Sequence, residues 1–204
     1  MTGVRFMIFP DGITKEDVIG RSQVSKLVNT DVAHAAKTAH SIKHPWYRCQ
    51  SLAMVAEYSS EKHKVNILLE ALEVAKEQSD INRIVTVSSW PMKHLAKVRP
   101  DIAKGNIKSL VDLANEEPHT LRRSHALSSL AWSVSESTEH LSLIIPSLVT
   151  ALLSGYGWRI DRIIRSSLQL VQGVQPESVA ALIAHHSDNS KKRRLENEFN
   201  SNKI

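Results

Sequence analysis

The feature that most constrains the fold of this chain is an internal repeat that links its first and second halves. Residues 48–56, RCQSLAMVA, can be laid over residues 123–131, RSHALSSLA, so that an Arg, a Leu, a second aliphatic residue and an Ala coincide. Arg83 and Arg162 each open a further apolar segment, so that such arginines recur roughly every 38 residues along the chain. A period of this length is typical of a two-helix unit, which cannot bury its apolar stripe alone and must stack on neighbouring copies.

Composition and hydrophobic periodicity both favour helices. Aromatic residues make up 5% of the chain and glycines number seven, a bias that fits helices better than a sheet sandwich or barrel. An apolar period of 3.6 residues, interrupted by Gly, Pro, Ser and Asp, predicts a series of helix pairs. The predicted pairs are 15–28 with 31–42, 46–58 with 61–77, 80–97 with 106–115, 119–133 with 138–154, and 158–172 with 176–186.

Three parts of different composition follow one another along the chain. Residues 1–13 are predicted to form a short extended or irregular arm, and residues 14–186 the helical repeat domain. Residues 187–204 are predicted to be a disordered basic tail, because they contain too little apolar material to offset the entropy of ordering. The net charge is +5, yet the run from Lys191 to Arg194 alone carries four positive charges. The rest of the chain is therefore near neutral, which weakens basicity as an argument for nucleic acid.

The repeated pattern resembles a known architecture. Arg-x3-Leu-x2-(Val/Leu)-Ala, followed by the Leu-Leu-x-Ala-Leu-x2-Ala run at 68–75, is similar to HEAT-like α-solenoids over about residues 15–185. The resemblance implies an all-α, right-handed solenoid of four to five helical hairpins, whose second helices line a concave binding face. The Asp and Arg ladder of regular HEAT repeats is only partly present, the repeats vary in length, and no catalytic motif of the family is found.

Cysteine and histidine give little support for a reaction centre. Cys49 is the one cysteine, so disulfides within the chain and Cys-based zinc sites are excluded and a reducing, cytoplasmic location is expected. A cation at Arg48 could lower the pKa of that thiol, but Cys49 falls on Ser124 in the repeat, which favours a small packing residue. Of the ten histidines, only His40 and His44 have a spacing that places both on one helical face, and no Cys or nearby carboxylate completes a metal site. We expect no metal and no cofactor.

Two basic segments are the candidate partner-binding residues. The first is a predicted helix start that carries an aromatic residue and three arginines, and the second is the basic run of the tail. As an alternative, the first segment is a solvated helix start in which Asp161 pairs with Arg165. The candidates are Trp158, Arg159, Arg162, Arg165, Lys191, Lys192, Arg193 and Arg194. The four tryptophans are expected to pack in the core or to cap it between repeats, and not to stack on nucleotide bases: Trp46, Trp90, Trp132 and Trp158.

Binding of another protein, without catalysis, through the concave face of a solenoid is the expected function. One alternative is nucleic-acid binding by the basic segments and the tryptophans. A second is a HEAT-type lyase or an isomerase-like enzyme, for which Cys49 and the histidines are the candidates. No window reaches the 18 apolar residues of a membrane span, so no membrane partner is expected. The oligomeric state is left open.

Overall fold

A computed structural model describes residues 12–201 of the chain and the side chains of residues 12–199. This part of the protein is helical and contains no strand, which confirms the all-α prediction. The arm predicted for residues 1–13 lies almost entirely outside the described residues. The helices are α1 (Lys15–Leu27), α2 (Val32–Ser41), α3 (Pro45–Tyr58), α4 (Glu61–Ala75), α5 (Ile81–Val98), α6 (Pro100–Asn115), α7 (Thr120–Ser133), α8 (Thr138–Ser154), α9 (Trp158–Val174), α10 (Val179–His185) and α11 (Asn189–Ser201), with a 3-10 turn at Pro176–Ser178 before α10.

Ten of these helices were predicted from the sequence, and the largest difference lies at the start of α6. The sequence predicts a separator at Gly105, yet the helix already begins at Pro100 and runs through that glycine. Proline is well suited to the first turn of a helix, because the N–H group that it lacks would have no intrahelical partner there. Gly105 weakens the helix by about 1 kcal/mol relative to Ala, which a helix of 16 residues tolerates.

The helices form two compact units, Met1–Pro100 and Asp101–Ile204. Within the first unit each of α1, α2 and α3 contacts the next helix, and α1 and α3 also contact the helix after that. The second unit repeats this pattern, since α7 packs on α8 and α9, and α8 packs on α9 and α10. Each unit therefore contains contacts both between successive helices and between helices two apart in the chain.

Equivalent positions of the repeat are buried in both units. Leu52 and Leu127 are fully buried, and so are Cys49 and Ser124. In the first unit, Cys49 and Leu52 belong to an apolar core that also contains Val55 and Ala71. The alignment of residues 48–56 with residues 123–131 therefore places the same positions in the interior of both copies.

Two of the four repeat arginines, Arg48 and Arg123, bind the loop that precedes their own helix. Nη1 of Arg48 donates to the carbonyl oxygen of Ile42 at 3.5 Å, and Nη1 of Arg123 donates to that of Glu117 at 3.4 Å. In both copies the acceptor lies six residues before the arginine. This arginine thus has a structural role, which is to satisfy a carbonyl group at the entry to the helix.

A second recurring contact joins one hairpin to the loop that follows it. Asp17 of α1 is buried and accepts hydrogen bonds from the backbone N–H groups of Lys43 and His44, both at 3.0 Å. Asp161 of α9 is also buried and accepts from the backbone N–H of Ser187 at 3.2 Å. Lys43 and Ser187 each lie 26 residues after the aspartate that they contact. A carboxylate on each of these helices therefore fixes the entry to a later one, α3 or α11.

Residues Asn189–Ser201, which belong to the segment predicted to be a disordered tail, form α11 in the structure. Leu195 and Phe199 lie one helical turn apart, and only 8% of each is exposed. Asp188 accepts from the backbone N–H of Lys191 at 3.0 Å and caps the first turn. Two well-placed apolar side chains and a cap are enough to dock a helix whose average composition is very polar. No helix in the described part of the chain has the length and apolar character needed to cross a membrane.

Candidate partner-binding groove

A groove of about 480 Å³ lies in the second unit, between helices that are far apart in the sequence. We call it the basic groove. Trp132 lies at the end of α7, α9 forms one wall, and α11 forms the other wall. The lining residues are Trp132, Arg165, Ser166, Gln169, Lys191, Arg194, Leu195, Glu198 and Phe199.

Helical spacing explains which residues of α11 line the basic groove. Lys191, Arg194, Leu195, Glu198 and Phe199 follow the pattern i, i+3, i+4, i+7 and i+8, which describes one face of a helix. The two apolar members are nearly buried, while the three charged members are exposed to solvent. This face of α11 therefore supplies an apolar floor and a charged rim.

A buried polar cluster holds the loop before α11 against α9. His186 is 2% exposed, and its Nε2 lies 2.7 Å from Nη1 of Arg165. The side-chain hydroxyl of Ser187 donates to Asp161, which also accepts from the Ser187 backbone. Burial lowers the pKa of His186, and the nearby Arg165 lowers it further, although Asp161 opposes this shift. The buried His186 therefore lies in the loop that leads into α11.

The rim of the basic groove offers a ligand exposed polar groups that have no partner among the described residues. Trp132 is 45% exposed, and its indole N–H has no hydrogen-bond partner among the described residues. Arg194 is exposed and likewise makes no ion pair or hydrogen bond within this part of the chain. Lys191 forms a pair with Asp188 at 3.3 Å, and both side chains are exposed. Arg165, Lys191 and Arg194 face a single carboxylate among the described lining residues, that of Glu198, so the groove has an excess of positive charge.

The structure brings together three of the eight candidate residues proposed from the sequence. Arg165 comes from the first segment, and Lys191 and Arg194 come from the predicted tail. Trp158 is 67% exposed, but it contacts its neighbour Arg159, whose guanidinium lies 5.2 Å from the ring centroid. The candidates that do not line the groove are Trp158, Arg159, Arg162, Lys192 and Arg193.

The alternative for the first segment, an ion pair between Asp161 and Arg165, is also not what forms. Asp161 is buried and contacts Ser187 and His186, whereas Arg165 contacts His186. The spacing of four residues allowed the pair. The long-range packing of the loop before α11 provides both side chains with other partners.

The four tryptophans, predicted to pack in the core or to cap it, differ in their exposure. Trp46 is partly buried and packs against the core of the first unit. Trp90, Trp132 and Trp158 are 39%, 45% and 67% exposed. The guanidinium of Arg21 lies 5.8 Å from the ring centroid of Trp90, so that ring already has a cation on its face. Trp132 is exposed and lines the basic groove.

The repeat itself contained a sign that Trp132 is exposed. In the alignment that places Arg123 on Arg48, Trp132 falls on Glu57, a charged residue that belongs on the surface. Glu57 is indeed exposed in the structure. The position directly after the core alanine thus faces outward in both copies.

The groups considered for catalysis and metal binding are engaged in the structure of the protein. Cys49 is fully buried, and burial raises the pKa of its thiol, which is the opposite of nucleophile activation. The ring of His40 contacts the carbonyl oxygen of Ala36 at 2.7 Å and a carboxylate oxygen of Glu70 at 2.9 Å. Across residues 12–201, the His, Cys, Asp and Glu side chains form no group of three that could hold a metal ion.

No family model, curated protein or solved structure matches this chain. Function is therefore inferred from the contacts of the molecule alone.

Proposed function

We propose that this protein is a HEAT-like helical repeat protein that binds another protein and does not catalyse a reaction. In this proposal the hairpins form a right-handed solenoid. Two observations support it: the arginine contact that recurs six residues before Arg48 and Arg123, and the aspartate contact that recurs 26 residues after Asp17 and Asp161. Repeated contacts at fixed spacing are typical of stacked repeats.

The observation that carries the proposed function is the basic groove. Its exposed aromatic ring at Trp132, its apolar floor at Leu195 and Phe199, and the cation of Arg194, which is unpaired within the described residues, are features of a protein interface. The groove lies on α7 and α9, which are the first helices of their hairpins, and on α11, which follows the hairpin of α9 and α10. We therefore place partner binding on the first helices and not on the second helices that the family resemblance implies.

Charge favours a protein partner over nucleic acid. Residues 101–204 contain 12 Lys and Arg against 11 Asp and Glu, so the positive charge of the basic groove is local. A nucleic-acid surface usually spreads positive charge over a whole face, because affinity comes chiefly from contacts with many phosphates. A groove with three cations and one carboxylate among its described residues is better matched to a short segment of a protein.

The same contacts argue against the two enzymes considered from the sequence. The thiol of Cys49 is fully buried and held as a neutral group, so a substrate cannot reach it. A reducing, cytoplasmic location remains a prediction that follows from the single cysteine.

Site-specific photo-crosslinking tests the proposed function. A benzophenone amino acid placed at Gln169, which is exposed and lines the basic groove, should crosslink to a protein in living cells of the source organism. The matched control places the same group at Glu177, which is exposed in the same unit but outside the groove. A defined protein adduct at position 169 alone supports the proposal. Adducts to RNA or DNA at position 169, or identical adducts at both positions, contradict it.

A further inference from the structure

We infer that the basic groove receives a short, extended, acidic segment of the partner protein, with one aromatic or large aliphatic side chain packed against Trp132 and carboxylates paired with Arg194 and Lys191. This inference rests on the proposed function, since it names the chemistry of the partner at the same site. It assigns a distinct role to each part of the groove.

The apolar part of the groove selects a large side chain. Leu195 and Phe199 are each only 8% exposed, so they form a floor and offer little free surface. Trp132 lines the same groove, and 45% of its surface is exposed. No described residue accepts a hydrogen bond from its indole N–H. An aromatic or aliphatic side chain of the partner would cover this ring, and a backbone carbonyl of the partner is a suitable acceptor for the N–H.

The charged part of the groove selects carboxylates. Arg194 has no partner among the described residues, and a guanidinium binds a carboxylate through two parallel hydrogen bonds. Lys191 pairs with Asp188 in an exposed geometry, where water and salt screen the attraction, so its ammonium can exchange partners at little cost. Nη1 of Arg165 lies 2.7 Å from Nε2 of His186, and a guanidinium has five N–H donors, which leaves others for a ligand.

The size of the groove limits the length of the segment. A volume of about 480 Å³ falls within the range of roughly 300–1,000 Å³ of ligand pockets. It accommodates a few residues of an extended chain and not a folded domain. Glu198 on one wall repels a continuous run of negative charge, so an acidic segment interrupted by an apolar residue fits better than a run of phosphates.

Fluorescence anisotropy with defined probes tests this inference on the full-length protein. The probe is a fluorescein-labelled heptapeptide, Glu-Asp-Glu-Phe-Glu-Asp-Glu, at an ionic strength of about 0.15 M, where charges more than about 8 Å apart are largely screened. One matched peptide has Ser in place of Phe, and another has Gln and Asn in place of Glu and Asp. We expect saturable binding of the first peptide and at least roughly tenfold weaker binding of both matched peptides.

Neighbouring arginines on α11 provide the matched protein variants. Arg194→Glu reverses a charge on the rim and should weaken peptide binding by roughly tenfold or more. Arg193→Glu makes the same change one residue away, on an exposed side chain that does not line the groove, and should weaken it by less than about twofold. Trp132→Ala should weaken binding, whereas Trp158→Ala, at a more exposed tryptophan outside the groove, should not.

A charge-swapped peptide separates direct contact from damage to the fold. With Lys in place of one Glu beside the Phe, the peptide should bind the Arg194→Glu variant more tightly than it binds the unaltered protein. Equal effects of Arg194→Glu and Arg193→Glu on peptide binding would overturn the inference. It would also be overturned if oligodeoxythymidine binds more tightly than the acidic peptide and loses this binding in Arg194→Glu and Trp132→Ala. A protein crosslink at Gln169 without peptide binding would refute the acidic segment but leave the proposed function intact.

Discussion

Phe199 offers the most direct test of how the basic groove is built. The side chain is 8% exposed and lies on the face of α11 that lines the groove. Burying a Phe side chain stabilises a protein by about 1.5–3 kcal/mol. A helix of 13 residues is marginal in water by itself, so α11 depends on this burial. Phe199→Ala should therefore lower the ratio of docked to undocked α11 by roughly 10- to 150-fold.

Amide hydrogen exchange followed by mass spectrometry measures this effect at constant pH. Peptides from α11 should exchange much faster in Phe199→Ala than in the unaltered protein, while peptides from α9 should change little. Arg193→Ala is the matched control, because it truncates an exposed side chain on the same helix. The control should leave the exchange of α11 nearly unchanged.

Two results would refute this reasoning. If α11 exchanges equally fast in Phe199→Ala and Arg193→Ala, Phe199 does not anchor the helix. If α11 is already unprotected in the unaltered protein, the helix does not dock, and the prediction of a disordered tail from residue 187 would be right after all.

Three further predictions address the repeat, the loop before α11 and pH. Leu52→Ala and Leu127→Ala, at equivalent and fully buried positions, should each lower the free energy of unfolding in urea by about 2–5 kcal/mol. Asp161→Ala leaves the backbone N–H of Ser187 without its acceptor and should cost about 1–3 kcal/mol. Burial lowers the pKa of His186 in the folded protein, so its contribution to stability is present above about pH 6.5 and is lost as the pH falls through that lowered value. The loss of stability between about pH 7 and pH 5 should therefore be smaller in His186→Asn.

Each of these predictions has a result that contradicts it. Losses below about 0.5 kcal/mol at both leucines would show that the repeat is placed in the wrong register. If Asp161→Ala leaves the free energy of unfolding unchanged, the recurring aspartate contact does not stabilise the fold. An equal acid effect in His186→Asn would assign the pH dependence to other groups, such as His94 and His125, whose pKa values burial also lowers.

Local signals made most helices predictable from the sequence. The sequence predicts Thr14 as the N-cap of α1 and Thr30 or Asp31 as the N-cap of α2. In the structure, the side chains of Thr14 and Asp31 each accept a hydrogen bond from a backbone N–H in the first turn of their helix. Such caps act over three residues, and the apolar period acts over one or two turns. Neither depends on the rest of the fold, which is why a single sequence is enough to find them.

The helix α11 was missed because average composition concealed the spacing of its apolar residues. Leu195 and Phe199 are the two large apolar residues of Asn189–Ser201, and their separation of four residues places them on one helical face. The polar residues around them signal disorder when they are averaged over the segment. The helix α11 contacts α10 and lines the basic groove together with residues of α7 and α9, and local sequence does not show this arrangement.

The basic groove was only partly predictable for the same reason. Arg165 and Arg194 were both named as candidates, but they belong to segments that the sequence assigned to a folded domain and a disordered tail. Their proximity depends on the loop at His186 and Ser187, which Asp161 holds. Trp132 was assigned to the core because it follows a core alanine, although its repeat equivalent, Glu57, is charged.

Because α11 forms one wall of the basic groove, docking of this helix and binding of a partner are thermodynamically linked. Only the docked form presents Arg194 and Trp132 to the same ligand, so the apparent affinity equals the intrinsic affinity multiplied by the docked fraction. A ligand that binds the docked form in turn stabilises α11. Phe199→Ala should therefore weaken peptide binding even though the ring is nearly buried, and saturating peptide should restore much of the exchange protection of α11. Arg194→Glu should weaken binding without changing that protection, which distinguishes a residue that contacts the partner from one that builds the groove.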